Sequence, residues 1–174
     1  MLQLITLTCC LTTLFIFVFY LMLQSLFGVP YVPSSAKEVR ATLEQLDLQG
    51  KKFVDLGSGD GMVVLSAARS GADAHGVEIN PVLVGFSKLK SRVARWLNKS
   101  EAGSAKFTRG SYHNFPVADA DVIFIYLLPK TMAELLPRLQ SELKPGAIVV
   151  SNTFTFPEIQ PAEKLNSKFL VYRF

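Results

Sequence analysis

Short apolar runs alternate with longer mixed segments along most of the chain. The run Asp121–Tyr126 is almost continuously apolar, as expected for a parallel strand that is buried on both faces. Between Ser35 and Leu46, residues Val39, Leu43 and Leu46 share one helical face. The predicted strands are 52–54, 72–78, 106–109, 121–126 and 147–151, followed by an antiparallel hairpin over 162–165 and 168–174. This alternation predicts an α/β domain with a mostly parallel sheet.

The first 27 residues have a different pattern. Met1–Phe27 contains no Asp, Glu, Lys or Arg and consists mainly of Leu, Ile, Phe, Val and Thr. A transmembrane helix needs about 20 such residues, and neither a basic start nor a small-residue cleavage site indicates a signal peptide. We therefore expect an uncleaved single-pass anchor that contacts the bilayer through residues 2–27. Because Lys37 and Arg40 are the first basic residues, we expect the domain after it on the cytoplasmic side.

The remaining chain divides into residues 28–50, a linker with a first helix, and residues 51–174, the α/β domain. Pro30 and Pro33 make the linker extended and stiff. Ser34 or Ser35 can cap the first helix, with Glu38 completing a capping box after Ser35. Tyr31, between the prolines, has two interpretations, an aromatic residue at a membrane interface or a functional residue.

A glycine-rich turn organises the domain. Val54–Gly61 reads as a strand end followed by three glycines at alternate positions, and a helix starts directly afterwards. Gly57, Gly59 and Gly61 can adopt positive φ and let a ligand reach the backbone. The neighbouring carboxylates of Asp55 and Asp60 would repel a pyrophosphate. They suit a ligand that carries an ammonium group and no phosphate, and S-adenosylmethionine is such a ligand. The predicted cofactor site also includes Ser58.

Further cofactor contacts are predicted after the second strand. Glu78 follows the turn by roughly 20 residues, where an acidic side chain can accept both hydroxyls of a ribose. The alternative is a solvated carboxylate at a strand end. Asn80 is assigned to the same site, and Pro81 opens a helix to about Asn98. That helix is basic, which indicates a solvated face or, near a membrane, contact with acidic lipids.

Overall charge and cysteine content narrow the possible functions. The net charge of +4, from 18 Lys and Arg against 14 Asp and Glu, is too small to indicate nucleic acid by itself. Cys9 and Cys10 are adjacent in the apolar segment and predict neither a disulfide framework nor a metal site.

Three segments together resemble the seven-strand S-adenosylmethionine-dependent methyltransferases: Val54–Gly61, Val77–Pro81 and Leu143–Gly146. With Val29–Ser34 after an apolar helix, the chain is similar to small membrane-anchored lysine methyltransferases. These include the mitochondrial enzymes that act on the ATP synthase c-subunit and on the adenine nucleotide translocase. The resemblance implies a Rossmann-like seven-strand methyltransferase sheet behind one N-terminal transmembrane helix, in the mitochondrial inner membrane if the source is eukaryotic.

In that family, a lysine amine attacks the sulfonium methyl group in line. The resemblance implies that Tyr31, Tyr126 and Pro129, with Leu127, form the wall that desolvates the amine, and that Ser111 lies beside the adenine. Nucleic-acid amine methyltransferases of this fold typically have Asp/Asn-Pro-Pro-aromatic after the fourth strand, where this chain has Tyr126–Pro129. We therefore expect no nucleic acid as substrate, and the resemblance of Val29–Ser34 favours a membrane-protein substrate. A methyltransferase for a small or lipid-like molecule, or a non-catalytic scaffold that binds S-adenosylmethionine, remains open.

Overall fold

A computed structural model of the chain describes residues 1–26, 34–97 and 102–174. The chain divides into two compact units, residues 1–32 and 33–174. The first contains helix α1, Leu2–Leu26. Within the described ranges, no helix has both the length and the apolar character that crossing a membrane requires. The structure therefore does not support the predicted transmembrane anchor. Tyr31 and the rest of 27–33 lie outside the described residues.

The second unit contains a seven-stranded sheet in the order β3-β2-β1-β4-β5-β7-β6. Its helices are α2 (Ala36–Leu43), α3 (Met62–Arg69), α4 (Pro81–Trp96) and α5 (Pro129–Glu142). Its strands are β1 (Lys52–Leu56), β2 (Asp73–Glu78), β3 (Ser104–Arg109), β4 (Val122–Ile125), β5 (Ile148–Asn152), β6 (Glu163–Leu165) and β7 (Phe169–Arg173). The first five strands pair in parallel, and β7 is antiparallel to both β5 and β6. The predicted α/β class and strand count are confirmed.

Apolar side chains fill both faces of this sheet. On one face, Phe53 and Phe124 pack with residues of α2 and α3 such as Leu43 and Val64. On the other face, the neighbouring strand residues Val54 and Ile123 pack with four buried side chains of α5. These four are Met132, Leu135, Leu136 and Leu139. Because successive strand residues point to opposite faces, continuous apolar runs such as Val122–Ile125 supply both cores at once.

The C-terminal hairpin forms as the sequence predicts. Asn166 and Ser167 both have positive φ, at 46° and 66°, which is the backbone of a type I′ turn whose twist matches the flanking strands. The N–H of Lys168 donates to the carbonyl of Leu165 at 3.3 Å. As the sequence predicts, the hairpin finishes the sheet, and β7 is the strand of the hairpin that pairs with β5. Which of the two hairpin strands pairs with β5 was not predicted.

Helix α2 corrects one local prediction. Ser35 is its N-cap residue, but the Ser35 side chain makes no capping hydrogen bond, so the predicted capping box is wrong. Glu38 instead forms an ion pair with Lys168 of the hairpin turn. The side-chain amide of Asn166 also donates to Thr42 Oγ1 at 2.9 Å. These long-range contacts hold α2 against the end of the hairpin.

Candidate functional site

The glycine turn joins the carboxyl end of β1 to the start of α3. Gly57, Gly59 and Gly61 have φ values of 86°, 51° and 77°, as their residue type allows. A Cβ atom on Gly61 would lie 2.7 Å from Phe107 Cε1, and one on Gly57 would lie 3.2 Å from Leu127 Cδ2. The turn therefore needs glycine both for its backbone angles and for the space around it, because it packs against Phe107 of β3 and against Leu127, which follows β4.

Glu78 lies directly beside this turn. Its Oε2 accepts a hydrogen bond from the N–H of Gly59 at 3.0 Å, and its Oε1 accepts one from the N–H of Asn80 at 2.8 Å. The side-chain oxygen of Asn80 caps α4 by accepting from Val82 N–H at 2.9 Å. Each Glu78 oxygen keeps a second lone pair for another donor. The structure thus brings Glu78 and Asn80 next to the glycine turn, although Gly59 and Glu78 are 19 positions apart in the sequence.

Asp55 is the most unusual ionisable group of the site. Its side chain belongs to β1 and is only 3% exposed. Burial raises its pKa well above the usual range of a carboxyl group, and the negative charges of Glu78 and Asp60 raise it further. Within the described ranges we find no donor or cation for it, and such a buried acid destabilises a fold. Perturbed groups of this kind are concentrated in functional sites.

Asp60 does not share this environment. Its carboxylate forms an ion pair with Lys90 of α4, and its Oδ1 accepts a hydrogen bond from the N–H of Met62 at 3.2 Å. The sequence predicts that both acids beside the turn favour a ligand ammonium group. In the structure, Lys90 of α4 pairs with Asp60, whereas Asp55 has no partner among the described residues and is the acid that remains for the ligand.

Among the residues that the structure describes, the other predicted site residues, Ser111, Tyr126 and Pro129, lie at the same edge of the sheet. Because β1 to β4 are parallel, their carboxyl ends meet at one edge, and ligands of open α/β sheets bind there. Ser111 follows β3, and its hydroxyl accepts a weak hydrogen bond from the N–H of His113 at 3.3 Å. Tyr126 follows β4 and is half-buried, whereas Pro129 is exposed in the first turn of α5.

Sequence reasoning missed several contacts around this edge. The Tyr126 ring stacks on Phe154, with centroids 6.1 Å apart and an interplanar angle of 24°. Arg138 of α5 donates from Nη1 to the carbonyl of Tyr112 at 2.7 Å and from Nη2 to that of Phe115. Arg138 thereby fixes the loop that follows β3. In the sequence it reads only as a surface partner of Glu142, four residues later.

The strand order, the glycine turn and the acidic end of β2 define the class of S-adenosylmethionine-dependent methyltransferase domains. The chain belongs to the family described as ANTKMT methyltransferase domain, whose model matches residues 55–163. This match confirms the resemblance stated from the sequence.

Individual relatives agree with this family. The chain is 34% identical over 133 residues to the ATP synthase C-subunit lysine N-methyltransferase of Rattus norvegicus, which covers 76% of this chain and 59% of the relative. It is 39% identical over 134 residues to the adenine nucleotide translocase lysine N-methyltransferase of Mus musculus, with 76% and 56% covered. A protein-lysine N-methyltransferase of Saccharolobus islandicus (strain REY15A) is 34% identical over 138 residues, with 78% and 83% covered. The chain spans only slightly more than half the length of the two animal relatives.

One similar solved structure contains a ligand that is closely related to the cofactor. An RNA methyltransferase from Salinibacter ruber, crystallised with S-adenosyl-L-homocysteine, has a TM-score of 0.72 and 33% identity. The match covers 82% of this chain and 92% of that one. The site described above fits the related S-adenosylmethionine, because the glycine turn gives a backbone cradle that a Cβ would fill and Asp55 supplies a buried carboxylate for a cationic group.

Proposed function

We propose that this protein is an S-adenosylmethionine-dependent methyltransferase that modifies a lysine side chain of a membrane protein. The observation that carries the proposal is the buried Asp55 carboxylate beside the glycine turn. A carboxylate that is desolvated and lies close to two other acids gains most from a positive ligand group. The ammonium group of S-adenosylmethionine supplies that charge without bringing a phosphate.

The remaining cofactor contacts follow from the positions of the side chains. The backbone of Gly57–Gly61, including Ser58, borders the ligand, because the glycines have no side chain to hold it away. Glu78 accepts the ribose hydroxyls with the lone pairs that Gly59 and Asn80 leave free. Ser111, after β3, is assigned to the adenine with the backbone groups around it.

We infer that the acceptor amine binds at the end of β4. Bound S-adenosylmethionine supplies an already activated methyl group, so positioning of the amine accounts for much of the rate. Free lysine has a pKa of about 10.4 and must lose its proton before it can attack. The Tyr126 ring, stacked on Phe154, and the exposed ring of Pro129 offer a surface that removes water from the amine. Tyr31 remains a prediction from the sequence for the same wall.

The substrate class rests on the names of the relatives. Two of them are named for lysines of the ATP synthase C-subunit and of the adenine nucleotide translocase, and a third for protein lysine in general. The transmembrane anchor predicted for residues 1–27 is not part of this proposal. The name of the Salinibacter relative makes RNA the second candidate acceptor. Against RNA, residues Tyr126–Pro129 lack the Asp/Asn-Pro-Pro-aromatic pattern of nucleic-acid amine methyltransferases.

The test is transfer of a labelled methyl group from S-adenosylmethionine to three fractions: membrane proteins, total RNA and extracted lipids. We expect label in a membrane-protein band and methyl-lysine by mass spectrometry, and no transfer by Asp55→Asn. Asp47→Asn is the matched control, because Asp47 lies outside the site. Label in RNA or lipid alone would overturn the substrate assignment. Cofactor binding without any transfer would overturn the assignment as an enzyme and leave a scaffold.

A further inference from the structure

Helix α4 presents a continuous apolar stripe to solvent. The stripe consists of five residues spaced by four, three, four and three positions: Val82, Phe86, Leu89, Val93 and Trp96. At about 100° per residue, this spacing places all five on one side of the helix. Their exposed fractions lie between 45% and 82%, with Trp96 the highest. An exposed contiguous apolar surface of this kind marks a site of interaction.

The opposite side of α4 already has its packing partners. Val84, Ser87, Ser91 and Ala94 are buried against the domain, and the Ser87 hydroxyl donates to the carbonyl of Gly59 at 3.2 Å. The stripe therefore points away from the domain core and contributes nothing to it. Among the residues that the structure describes, α4 is thus an amphipathic helix with two apolar faces, of which one lacks a partner.

Basic residues border the stripe on both sides. Lys90 and Arg92 lie roughly 80° to either side of it, Lys88 and Arg95 lie further round, and α4 contains no Asp or Glu. Lys90 pairs with Asp60 and also lies 5.0 Å from the Phe86 ring centroid. For Lys88, Arg92 and Arg95 the described ranges contain no acidic partner. The helix thus carries uncompensated positive charge along one side of the apolar stripe, and the paired Lys90 on the other side.

We propose that α4 docks on the surface of an anionic lipid bilayer, with the stripe in the boundary between headgroups and acyl chains. An amphipathic helix with Lys and Arg beside large apolar residues binds in this way, and each basic residue near an anionic surface strengthens the binding. The exposed indole of Trp96 suits the headgroup level. A protein partner would need acidic groups placed beside a narrow apolar groove, whereas an anionic bilayer offers negative charge next to an apolar layer everywhere. The docking does not depend on the proposed function.

Trp96 allows a local test, since it is the only tryptophan in the chain. The full chain is mixed with vesicles of phosphatidylcholine alone or of phosphatidylcholine with phosphatidylserine. We expect a blue shift of the Trp96 emission with phosphatidylserine vesicles, quenching by lipids brominated near the headgroup, and weakening of both effects by salt. Total binding is not the readout, because the apolar residues 1–27 can add affinity of their own.

Two sets of variants test separately the attraction of the basic residues to anionic lipid and the insertion of the apolar stripe. Lys88→Glu with Arg92→Glu should raise the lipid concentration that gives half of the Trp96 blue shift by on the order of tenfold or more. The control Lys164→Glu with Arg173→Glu has the same net charge change at exposed strand positions and should leave that concentration unchanged. Phe86→Ser with Leu89→Ser should reduce the blue shift while the far-ultraviolet circular dichroism and the binding of S-adenosylhomocysteine stay as in the parent.

Three results would overturn the docking. The first is vesicle binding without any change in Trp96 emission, and the second is an equal blue shift with neutral vesicles. The third is a blue shift that needs only high protein concentration and no vesicles, which would assign the stripe to self-association. Loss of methyl transfer with intact docking would instead count against the proposed function, so the two failures are distinguishable.

Discussion

The N–H of Gly59 donates a hydrogen bond to Glu78 Oε2 at 3.0 Å, which ties the middle of the glycine turn to the carboxyl end of β2. The same carboxylate is the proposed acceptor for the ribose hydroxyls. Glu78 would therefore hold the turn in place before the ligand arrives, which reduces the ordering that binding requires.

Replacing Glu78 tests this double role. Glu78→Ala removes the acceptor for the ligand and for Gly59, so we expect S-adenosylhomocysteine binding to weaken by about 1–3 kcal/mol. Isothermal titration calorimetry measures the change, and Glu163→Ala, at an exposed position of β6, is the control. Equal affinity of Glu78→Ala and the parent would remove Glu78 from the site.

Replacing the buried Asp55 should stabilise the fold without cofactor and at the same time weaken cofactor binding, and the stability effect should depend on pH. Because burial raises the pKa of Asp55 in the folded state, the unfolded chain releases this proton at lower pH. The contribution of Asp55 to the free energy of unfolding is therefore complete below the ordinary aspartate pKa of about 3.9 and is lost as pH rises towards the folded-state pKa.

Asp55→Asn removes this titration. We expect the variant to be more stable than the parent at pH 7 without cofactor, with a difference that shrinks as pH falls towards 4, and to bind S-adenosylhomocysteine more weakly. Urea unfolding at several pH values measures the first effect and calorimetry the second. A variant that is less stable than the parent at pH 7 would contradict the argument that Asp55 is an unsatisfied buried acid.

Two glycine substitutions form a matched pair. Gly61→Ala places a Cβ 2.7 Å from Phe107 Cε1 at a φ of 77°, so we expect a loss of about 1–3 kcal/mol in the free energy of unfolding. Gly85→Ala, in the middle of α4, meets nothing within 4 Å and should stabilise the fold by up to about 1 kcal/mol. Chemical denaturation gives both values, and equal effects of the two substitutions would mean that the turn relaxes freely.

Arg138 should matter more than its surface ion pair suggests. Arg138→Ala leaves the carbonyls of Tyr112 and Phe115 without their donor, whereas Glu142→Ala removes only a partly exposed ion pair that is worth at most about 1 kcal/mol. We expect Arg138→Ala to cause the larger loss of stability and faster hydrogen exchange in residues 110–116. If both variants exchange at the same rate in this loop, Arg138 does not hold it.

Features that are decided by residues adjacent in the chain could be predicted from the sequence. Gly57, Gly59 and Gly61 predicted the positive φ values of the turn, because only the local backbone and the lack of a Cβ decide them. The strands followed from their apolar runs, and Asn166–Ser167 marked the hairpin because its turn needs two residues that tolerate positive φ. The motif order along the chain was also sufficient to identify the family.

Only the tertiary structure decided which long side chains meet across the fold. Lys90 of α4 reaches Asp60 of the glycine turn, Glu38 pairs with Lys168 of the hairpin turn, and Arg138 reaches over to the loop after β3. In each case the packing of sheet and helices decides which partner the side chain meets. Which hairpin strand pairs with β5 was likewise undetermined, because hairpin pairing fixes the register of two strands but not which of them joins the rest of the sheet. The sequence already assigned Asp55 to the cofactor turn, and only the fold distinguished it from Asp60. Among the described residues Asp55 is buried without a partner, whereas Lys90 pairs with Asp60.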